Sequence, residues 1–173
     1  MQQSAVIRCG IPADANALAV LATQVWLHTY ATDGVSTDIA EYVLAELTPA
    51  KYSATLKAPM SRLFVAEHEH SVIGFATVAL DVQCPASDRS TAELQTLYVQ
   101  EHFTGNGVGK SLLRAAEAAA RKERDSLLWL TVNAKNSRAI GFYEHLGYSK
   151  IGTAYFAVGA GRHENHLLIG QRA

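Results

Sequence analysis

Hydrophobic residues change their spacing several times along the chain, and each change predicts a new element. After a short strand over residues 5–8, the apolar residues Leu18, Leu21 and Val25 recur at helical spacing and predict a helix from about Asp14 to residue 30. Two shorter helices are expected over residues 38–47, with Thr37 as a candidate cap, and over residues 48–56. Apolar, β-favoured runs over residues 62–67 and 72–80 then predict a β-hairpin that turns at residues 68–71.

The second half of the chain alternates between strand-like and helix-like patterns. The predicted elements are, in order, a strand at Thr91–Val99, a helix that follows three glycines and extends to Lys122, a strand at Leu127–Val132, a helix at Ser137–Leu146, a long strand at Tyr148–Val158, a turn at Gly159–Gly161 and a closing strand at Asn165–Ile169. A nearly continuous apolar run such as Leu127–Val132 is typical of a strand buried on both faces. Because a helix joins it to Thr91–Val99, the two strands should be parallel neighbours, which predicts an α/β fold with a mixed sheet.

Composition narrows the function classes without choosing among them. The 173 residues suit one domain, 49% of them are hydrophobic, and the formal net charge is −1. Because the basic excess of nucleic-acid binders is missing, no binding to DNA or RNA is expected. The first residues show no signal-peptide pattern and no apolar run is long enough to span a bilayer, so the cytoplasm is the expected compartment and no membrane association is expected. The cysteines and histidines lack metal-type spacing, so no metal site is expected either.

The sequence TGNGVGKS at Thr104–Ser111 carries the most specific chemistry. Glycines that run into a helix bring backbone N–H groups and the positive end of the helix dipole to one point, which suits a phosphate or pyrophosphate. Three motifs compete for this segment. A dinucleotide fingerprint would need a small residue at Lys110, and a P-loop would need glycine at Thr104. The third is a pyrophosphate loop of the form Q/R-x-x-G-x-G/A, which fits Gly107 and Gly109 and departs at Thr104.

A second motif, one strand later, favours the third alternative. Asn136, Ala139, Tyr143, Gly147 and Tyr148 fit the pattern N-x-x-A-x-x-x-Y-x-x-x-G-[FY]. With both motifs in this order, the chain resembles the GNAT family of N-acetyltransferases and is loosely most similar to its polyamine and small-amine members. The resemblance implies one N-acetyltransferase domain over residues 1–173, with a substrate side at 5–60 and an acetyl-CoA-binding core at 61–170. It also implies a mixed, mostly antiparallel sheet of six to seven strands, flanked by helices and splayed in the middle.

The resemblance further implies a reaction and the residues that perform it. Family members transfer the acetyl group of acetyl-CoA to a primary amine by direct attack in a ternary complex. Tyr143 would be the general acid for the departing thiolate, and Glu93 stands in the place of the general base. From the residues alone, Tyr143 could instead be a packed core tyrosine and Glu93 a solvent-facing residue. The residues expected to bind the cofactor are Leu97, Tyr98, Val99, Thr104, Gly105, Asn106, Gly107, Val108, Gly109, Lys110, Ser111, Asn133, Asn136 and Tyr143.

The acceptor amine is less defined by the sequence. Trp26, Tyr30 and Glu93 are the expected substrate-binding residues, and the acidic residues around the two aromatics would suit a cationic amine such as a polyamine. The alternative is that these aromatics are core and the carboxylates a solvated helix face. A peptide or protein amine as acceptor and a catalytically silent acyl-CoA-binding domain both stay open. The closing strands could also support a homodimer.

Overall fold

The computed structural model describes residues 5–158 and 161–171. This part of the chain forms seven strands and five α-helices, with two short 3-10 turns at Pro12–Asp14 and Glu101–Phe103. The elements, in chain order, are β1 (Val6–Cys9), α1 (Ala15–Tyr30), α2 (Thr37–Glu46), α3 (Pro49–Lys57), β2 (Ser61–His68), β3 (Ser71–Ala79), β4 (Ala92–Val99), α4 (Val108–Arg124), β5 (Leu128–Asn133), α5 (Ser137–His145), β6 (Ser149–Val158) and β7 (Gly161–Ile169). No helix among these residues is both long and apolar enough to cross a membrane.

The strands form one sheet in the order β1-β2-β3-β4-β5-β7-β6. β4 and β5 are parallel, whereas β1 with β2, β5 with β7 and β6 with β7 are antiparallel. The parallel pairing places Ala92 opposite Leu128 and Glu93 opposite Trp129, at the beginning of both strands. The prediction of an α/β fold with a mixed, mostly antiparallel sheet of six to seven strands is therefore confirmed, with seven strands present and β4 parallel to β5.

Contacts divide the described chain into two compact units. The first unit comprises residues 5–77 and 96–116. In its core, Leu18 and Leu21 of α1 pack with Tyr52 of α3 and with Val65 and Phe75 of the sheet. These residues are buried because the apolar stripe of α1, which the spacing of the sequence predicts, faces the sheet.

An ion network ties the beginning of the first unit together. Arg8 of β1 donates to both carboxylate oxygens of Asp14 at 2.9 Å and, through Nε, to Glu67 of β2 at 2.7 Å. Asp14 also accepts from the Ile11 amide at 2.8 Å and is buried. The bonds from Arg8, followed by the bond from Ile11, hold the pKa of Asp14 below its ordinary value even though burial acts in the opposite direction.

The second unit comprises residues 78–95, 117–158 and 161–171. Its core contains Trp129 packed with Cys84 and Leu167, and the Trp129 indole donates to the Val82 carbonyl at 2.9 Å. This bond fastens the loop between β3 and β4 onto the sheet. The pairing register between β6 and β7 shifts between Lys150 and Gly152.

The structure corrects three details of the predicted elements. Ser36, not Thr37, caps α2, because its side chain accepts from the Ile39 amide at 3.3 Å and Thr37 is already the first helical residue. The β2–β3 hairpin turns through only Glu69 and His70, whose φ angles are +48° and +64°. β7 begins at Gly161, four residues earlier than expected, because its first half pairs with β6. The other residues of the predicted turn, 159 and 160, lie outside the described residues.

Candidate functional site

The glycine loop lies in the first unit, between β4 and α4. A 3-10 turn leads into it, and Thr104 Oγ1 donates to the Glu101 carbonyl at 2.8 Å. Gly105 and Gly107 have φ angles of +79° and +80°, and a Cβ built on either glycine would meet nothing within 4 Å. The left-handed backbone explains why glycine occupies both positions, and Gly105, Asn106 and Gly107 are all exposed. The loop therefore presents an open backbone surface.

The first turn of α4 supplies the donors for an anion. The Ser111 amide donates to the Gly107 carbonyl at 3.0 Å and makes the first bond of the helix. The amides of Val108, Gly109 and Lys110 come before it, so they have no partner within the helix. Those three N–H groups and the helix dipole suit a phosphate group. Because the Ser111 amide already donates to the Gly107 carbonyl, Ser111 can contact a ligand only through its hydroxyl group.

Arg114 is a candidate that the sequence reasoning missed. It lies four residues after Lys110 on α4; both side chains are exposed, and neither has a partner among the described residues. Residues four apart lie on the same helix face. A strip of two positive charges therefore extends from the anion-binding start of α4. The i, i+4 spacing of the two basic residues is the signal that could have identified it.

The last residues of β4, Leu97, Tyr98 and Val99, are all half-buried. Gly74 of β3 lies beside them: a Cβ at this position would be 2.8 Å from the Tyr98 carbonyl oxygen and 3.3 Å from the Val99 side chain. Gly74 therefore allows a close backbone approach to the stretch expected to bind the cofactor. A glycine inside a predicted strand is a signal for such an approach, although sequence reasoning did not use it.

Tyr143 lies on α5 in the second unit and is buried, with 8% of its surface exposed. Its ring packs against Tyr148 with 5.6 Å between ring centroids. The Tyr148 hydroxyl donates to Glu117 at 2.9 Å, whereas the Tyr143 hydroxyl has no hydrogen-bond partner among the described residues. Burial raises the pKa of Tyr143 well above its ordinary value, so the hydroxyl keeps its proton at neutral pH.

Both predicted asparagines make turn contacts before α5. Asn136 caps the helix by accepting from the Ala139 amide at 3.0 Å. The Asn133 side-chain oxygen accepts from the Lys135 amide at 2.9 Å. These bonds use the oxygens of the side-chain amides and leave their NH₂ groups as the donors that a ligand could meet.

Glu93 is half-buried on β4, in register with Trp129 of β5. Burial raises the pKa of its carboxyl group, and a hydrogen bond from Gln95 at 3.4 Å partly opposes that rise. A carboxylate with a raised pKa is a better proton acceptor than an ordinary one. Its half-buried position differs from that of a strand-end glutamate pointing into solvent.

The two aromatics expected to bind substrate differ in exposure. Trp26 is only 5% exposed and stacks on Tyr42 at 4.7 Å, so most of its ring is enclosed by protein. Tyr30 lies 4.6 Å from Trp26 and is 42% exposed. In this cluster of the first unit, Tyr30 offers the accessible ring. Among residues 5–158 and 161–171, no group of three or more His, Cys, Asp or Glu residues is placed to hold a metal ion.

Comparisons with known proteins find similarity to N-acetyltransferases in both sequence and structure. Residues 24–148 match the family model described as Acetyltransferase (GNAT) family. The chain is 30% identical to an uncharacterized N-acetyltransferase of Mycobacterium tuberculosis, over 90% of this chain and 96% of that protein. It resembles the crystal structure of PaiA N-acetyltransferase from Thermoplasma acidophilum in complex with coenzyme A, with a TM-score of 0.80, 22% identity and coverage of 98% and 100% of the two chains. A ribosomal-protein-alanine N-acetyltransferase from Brucella melitensis is similar with a TM-score of 0.71, 21% identity and coverage of 95% and 98%.

Proposed function

Since the chain belongs to the GNAT family and is thus an acetyl-CoA-dependent N-acetyltransferase, we propose that it acetylates a small cationic primary amine by direct attack in a ternary complex. In this proposal Tyr143 is the general acid and Glu93 is the general base. The glycine loop and the start of α4 bind the pyrophosphate of the cofactor.

The single observation that carries the proposal is the unpartnered hydroxyl of Tyr143. A tyrosine that only fills a core finds a partner for its hydroxyl when it is buried, as Tyr148 does with Glu117. Tyr143 is 8% exposed, against 3% for Tyr148; its hydroxyl has no such partner among the described residues and is not among their fully enclosed unpaired polar atoms, so it reaches the surface where a ligand can meet it. The hydroxyl is protonated at neutral pH, so it has a proton to donate to a departing thiolate. This supports an active enzyme over a silent acyl-CoA-binding domain.

The loop residues fit a bound pyrophosphate. The space in front of Gly105 and Gly107 is open, and the amides of Val108, Gly109 and Lys110 lack helical partners. Lys110 and Arg114 add positive charge on one face of α4. Bound acetyl-CoA would supply an acetyl group activated as a thioester. Leu97–Val99 would hold the pantetheine arm of the cofactor, and the side-chain NH₂ groups of Asn133 and Asn136 would donate to the cofactor.

Glu93 would prepare the acceptor amine. A free alkylamine has a pKa near ~10 and is almost entirely protonated at neutral pH, so a proton must be removed before it can attack. The raised pKa of Glu93 brings its basicity closer to that task. The proton would move from the ammonium group to a Glu93 carboxylate oxygen, either directly or through one water.

The acceptor class follows from the aromatic cluster of the first unit. Tyr30 exposes part of its ring, and behind it Trp26 and Tyr42 are stacked. Glu46 lies close enough to Tyr42 to contribute to raising the pKa of that phenol, after burial. Because Lys51 already donates to Glu46 at 3.1 Å, the attraction for a cation comes mainly from the exposed Tyr30 ring, which favours a polyamine or another small cationic amine. Peptide amines are the second candidate, because the structurally similar protein from Brucella melitensis is a ribosomal-protein-alanine N-acetyltransferase.

The proposed reaction is tested by following thiol release from acetyl-CoA with polyamines, monoamines, amino acids and peptides as acceptors. Tyr143→Phe should lower kcat at least about 100-fold, the magnitude expected when a general acid is lost, with little change in stability. Tyr148→Phe is the matched control, because it removes a bonded hydroxyl from the neighbouring ring and should lower stability more than kcat. Coenzyme A binding without turnover on any acceptor would instead favour the silent acyl-CoA-binding domain.

The base is tested by the pH dependence of kcat/KM. Glu93→Gln should remove the limb of the profile in which activity rises with pH as the carboxyl group loses its proton. An unchanged profile would exclude Glu93 as the base.

Tyr30→Leu tests the acceptor class. The variant should raise KM for a polyamine while leaving acetyl-CoA binding unchanged. Equal KM values in the variant and the parent would argue against a cationic acceptor at this ring.

A further inference from the structure

A cavity of about 210 Å³ lies entirely within the second unit, at the C-terminal end of α4. Its lining comes from α4, from the turn into β5 and from the segment after β7, and consists of Glu117, Arg121, Asp125, Ser126, Leu127, Leu128, Tyr148, Gly170 and Gln171. None of these residues belongs to the cofactor or acceptor sites described above. The cavity is smaller than the ~300–1,000 Å³ of pockets for drug-sized ligands, so its occupant must be small.

Two charged side chains of opposite sign line the cavity without pairing. Glu117 and Arg121 are four residues apart on α4, a spacing at which such residues often form an ion pair. Glu117 instead accepts the Tyr148 hydroxyl on Oε1 at 2.9 Å, and within the described residues this is its partner. The Arg121 side chain is exposed and has no hydrogen bond or ion pair with any described residue. The second Glu117 oxygen and the whole guanidinium thus stay available to a ligand.

The floor of the cavity is closely packed. The Tyr148 ring is 3% exposed, and a Cβ on Gly170 would lie 3.2 Å from it, so a larger residue at this position would crowd the ring. The Gly170 amide is fixed by the Leu128 carbonyl at 2.9 Å. The Ser126 hydroxyl is likewise used, because it accepts from the Thr91 amide at 2.9 Å. The polar groups that remain for a ligand are concentrated on Glu117, Arg121 and their neighbours.

We propose that this cavity binds a small free amino acid, or another small zwitterion, through Glu117 and Arg121. The ammonium group would donate to the open Glu117 oxygen, and the carboxylate would accept two parallel hydrogen bonds from the guanidinium of Arg121. A ligand with only one charge would leave one of the two side chains unmatched.

Binding is measured by isothermal titration calorimetry of the full chain with glycine, L-alanine and N,N-dimethylglycine. N,N-Dimethylglycine keeps both charges but is a tertiary amine that forms no stable amide, so its binding is separate from any role as an acetyl acceptor. Methylamine and acetate each carry one of the charges and should bind at least about tenfold more weakly than the zwitterions.

Variants locate the binding. Arg121→Gln and Glu117→Gln should each weaken N,N-dimethylglycine binding at least about tenfold, whereas Lys122→Gln, an exposed change outside the cavity on the same helix, should leave it unchanged. Glutamine at position 117 can still accept the Tyr148 hydroxyl, so far-UV circular dichroism should not change. Absent binding of N,N-dimethylglycine, equally tight binding of methylamine, or an affinity that survives Arg121→Gln would each overturn the proposal.

Discussion

Replacing Gly107 by alanine separates the binding role of the glycine loop from its backbone strain. Gly107 has a φ of +80°, and a Cβ there would meet no protein atom within 4 Å. The variant should therefore fold, with a cost of about 1 kcal/mol for holding alanine in the left-handed region. If a pyrophosphate lies against this backbone, the new methyl group would keep it from at least one amide. Losing one charge-assisted hydrogen bond of about 1.5–3 kcal/mol would weaken coenzyme A about 10- to 100-fold.

Gly34→Ala is the matched control for this experiment. Gly34 lies in the turn between α1 and α2 with a φ of +103°, and a Cβ there would also meet nothing within 4 Å. The two variants should therefore lose similar stability in urea unfolding. Calorimetry with coenzyme A should weaken only for Gly107→Ala. If both variants bound coenzyme A with the same affinity, the assignment of the loop to the pyrophosphate would be refuted.

Three further predictions concern charge. Arg8→Gln should lower the free energy of unfolding at neutral pH, because it leaves the buried Asp14 carboxylate without its ion partner. We expect a loss of about 2 kcal/mol, less than for a fully buried pair, because Arg8 is partly exposed. Because the pKa of Asp14 is depressed in the fold, this difference should shrink as pH falls through that pKa, which urea titrations at several pH values will show. Glu93→Gln should stabilise the protein at neutral pH, because the raised pKa of Glu93 means that folding disfavours its charged carboxylate. The gain in stability should disappear below the ordinary glutamate pKa of ~4.3, where the carboxyl group is protonated in both the folded and the unfolded chain. A loss of stability at neutral pH would contradict this prediction. Arg114→Gln should weaken coenzyme A severalfold at low salt and less at high salt, while Lys122→Gln at the far end of α4 should have no effect.

Local patterns account for most of the fold that could be predicted. The buried β5 strand and the long α1 helix follow from apolar spacing, and the parallel β4–β5 pair follows from the helix that joins them. The hairpin turn was predicted too long because Glu69 and His70 both adopt positive φ, which is uncommon outside glycine and asparagine. The start of β7 was missed because residues 161–164 are exposed, pair with β6 and carry no apolar alternation.

The sequence proposes the residues of the candidate site but does not predict their hydrogen bonding or burial. Motif spacing identifies the glycine loop and Tyr143, since both depend on the order of residues along the chain. Which backbone amides already donate a hydrogen bond within α4, as the Ser111 amide does, depends on where this helix begins. Whether a buried hydroxyl has a partner depends on side chains distant in sequence, as the bond between Tyr148 and Glu117 shows. Such nonlocal contacts leave no periodic signal.

The two proposed catalytic groups share a feature that folding alone does not favour. The Tyr143 hydroxyl gains no hydrogen bond from the described residues, so phenylalanine would suit this position about as well. Burial likewise disfavours the charged form of Glu93, for which glutamine would be an easier occupant. Tyr148, in the same unit, shows that this chain can pair a buried hydroxyl. The groups that lack such compensation are the proposed proton donor and the proposed proton acceptor, the two that acetyl transfer to an amine requires, so we expect their places in the chain to be kept for that reaction.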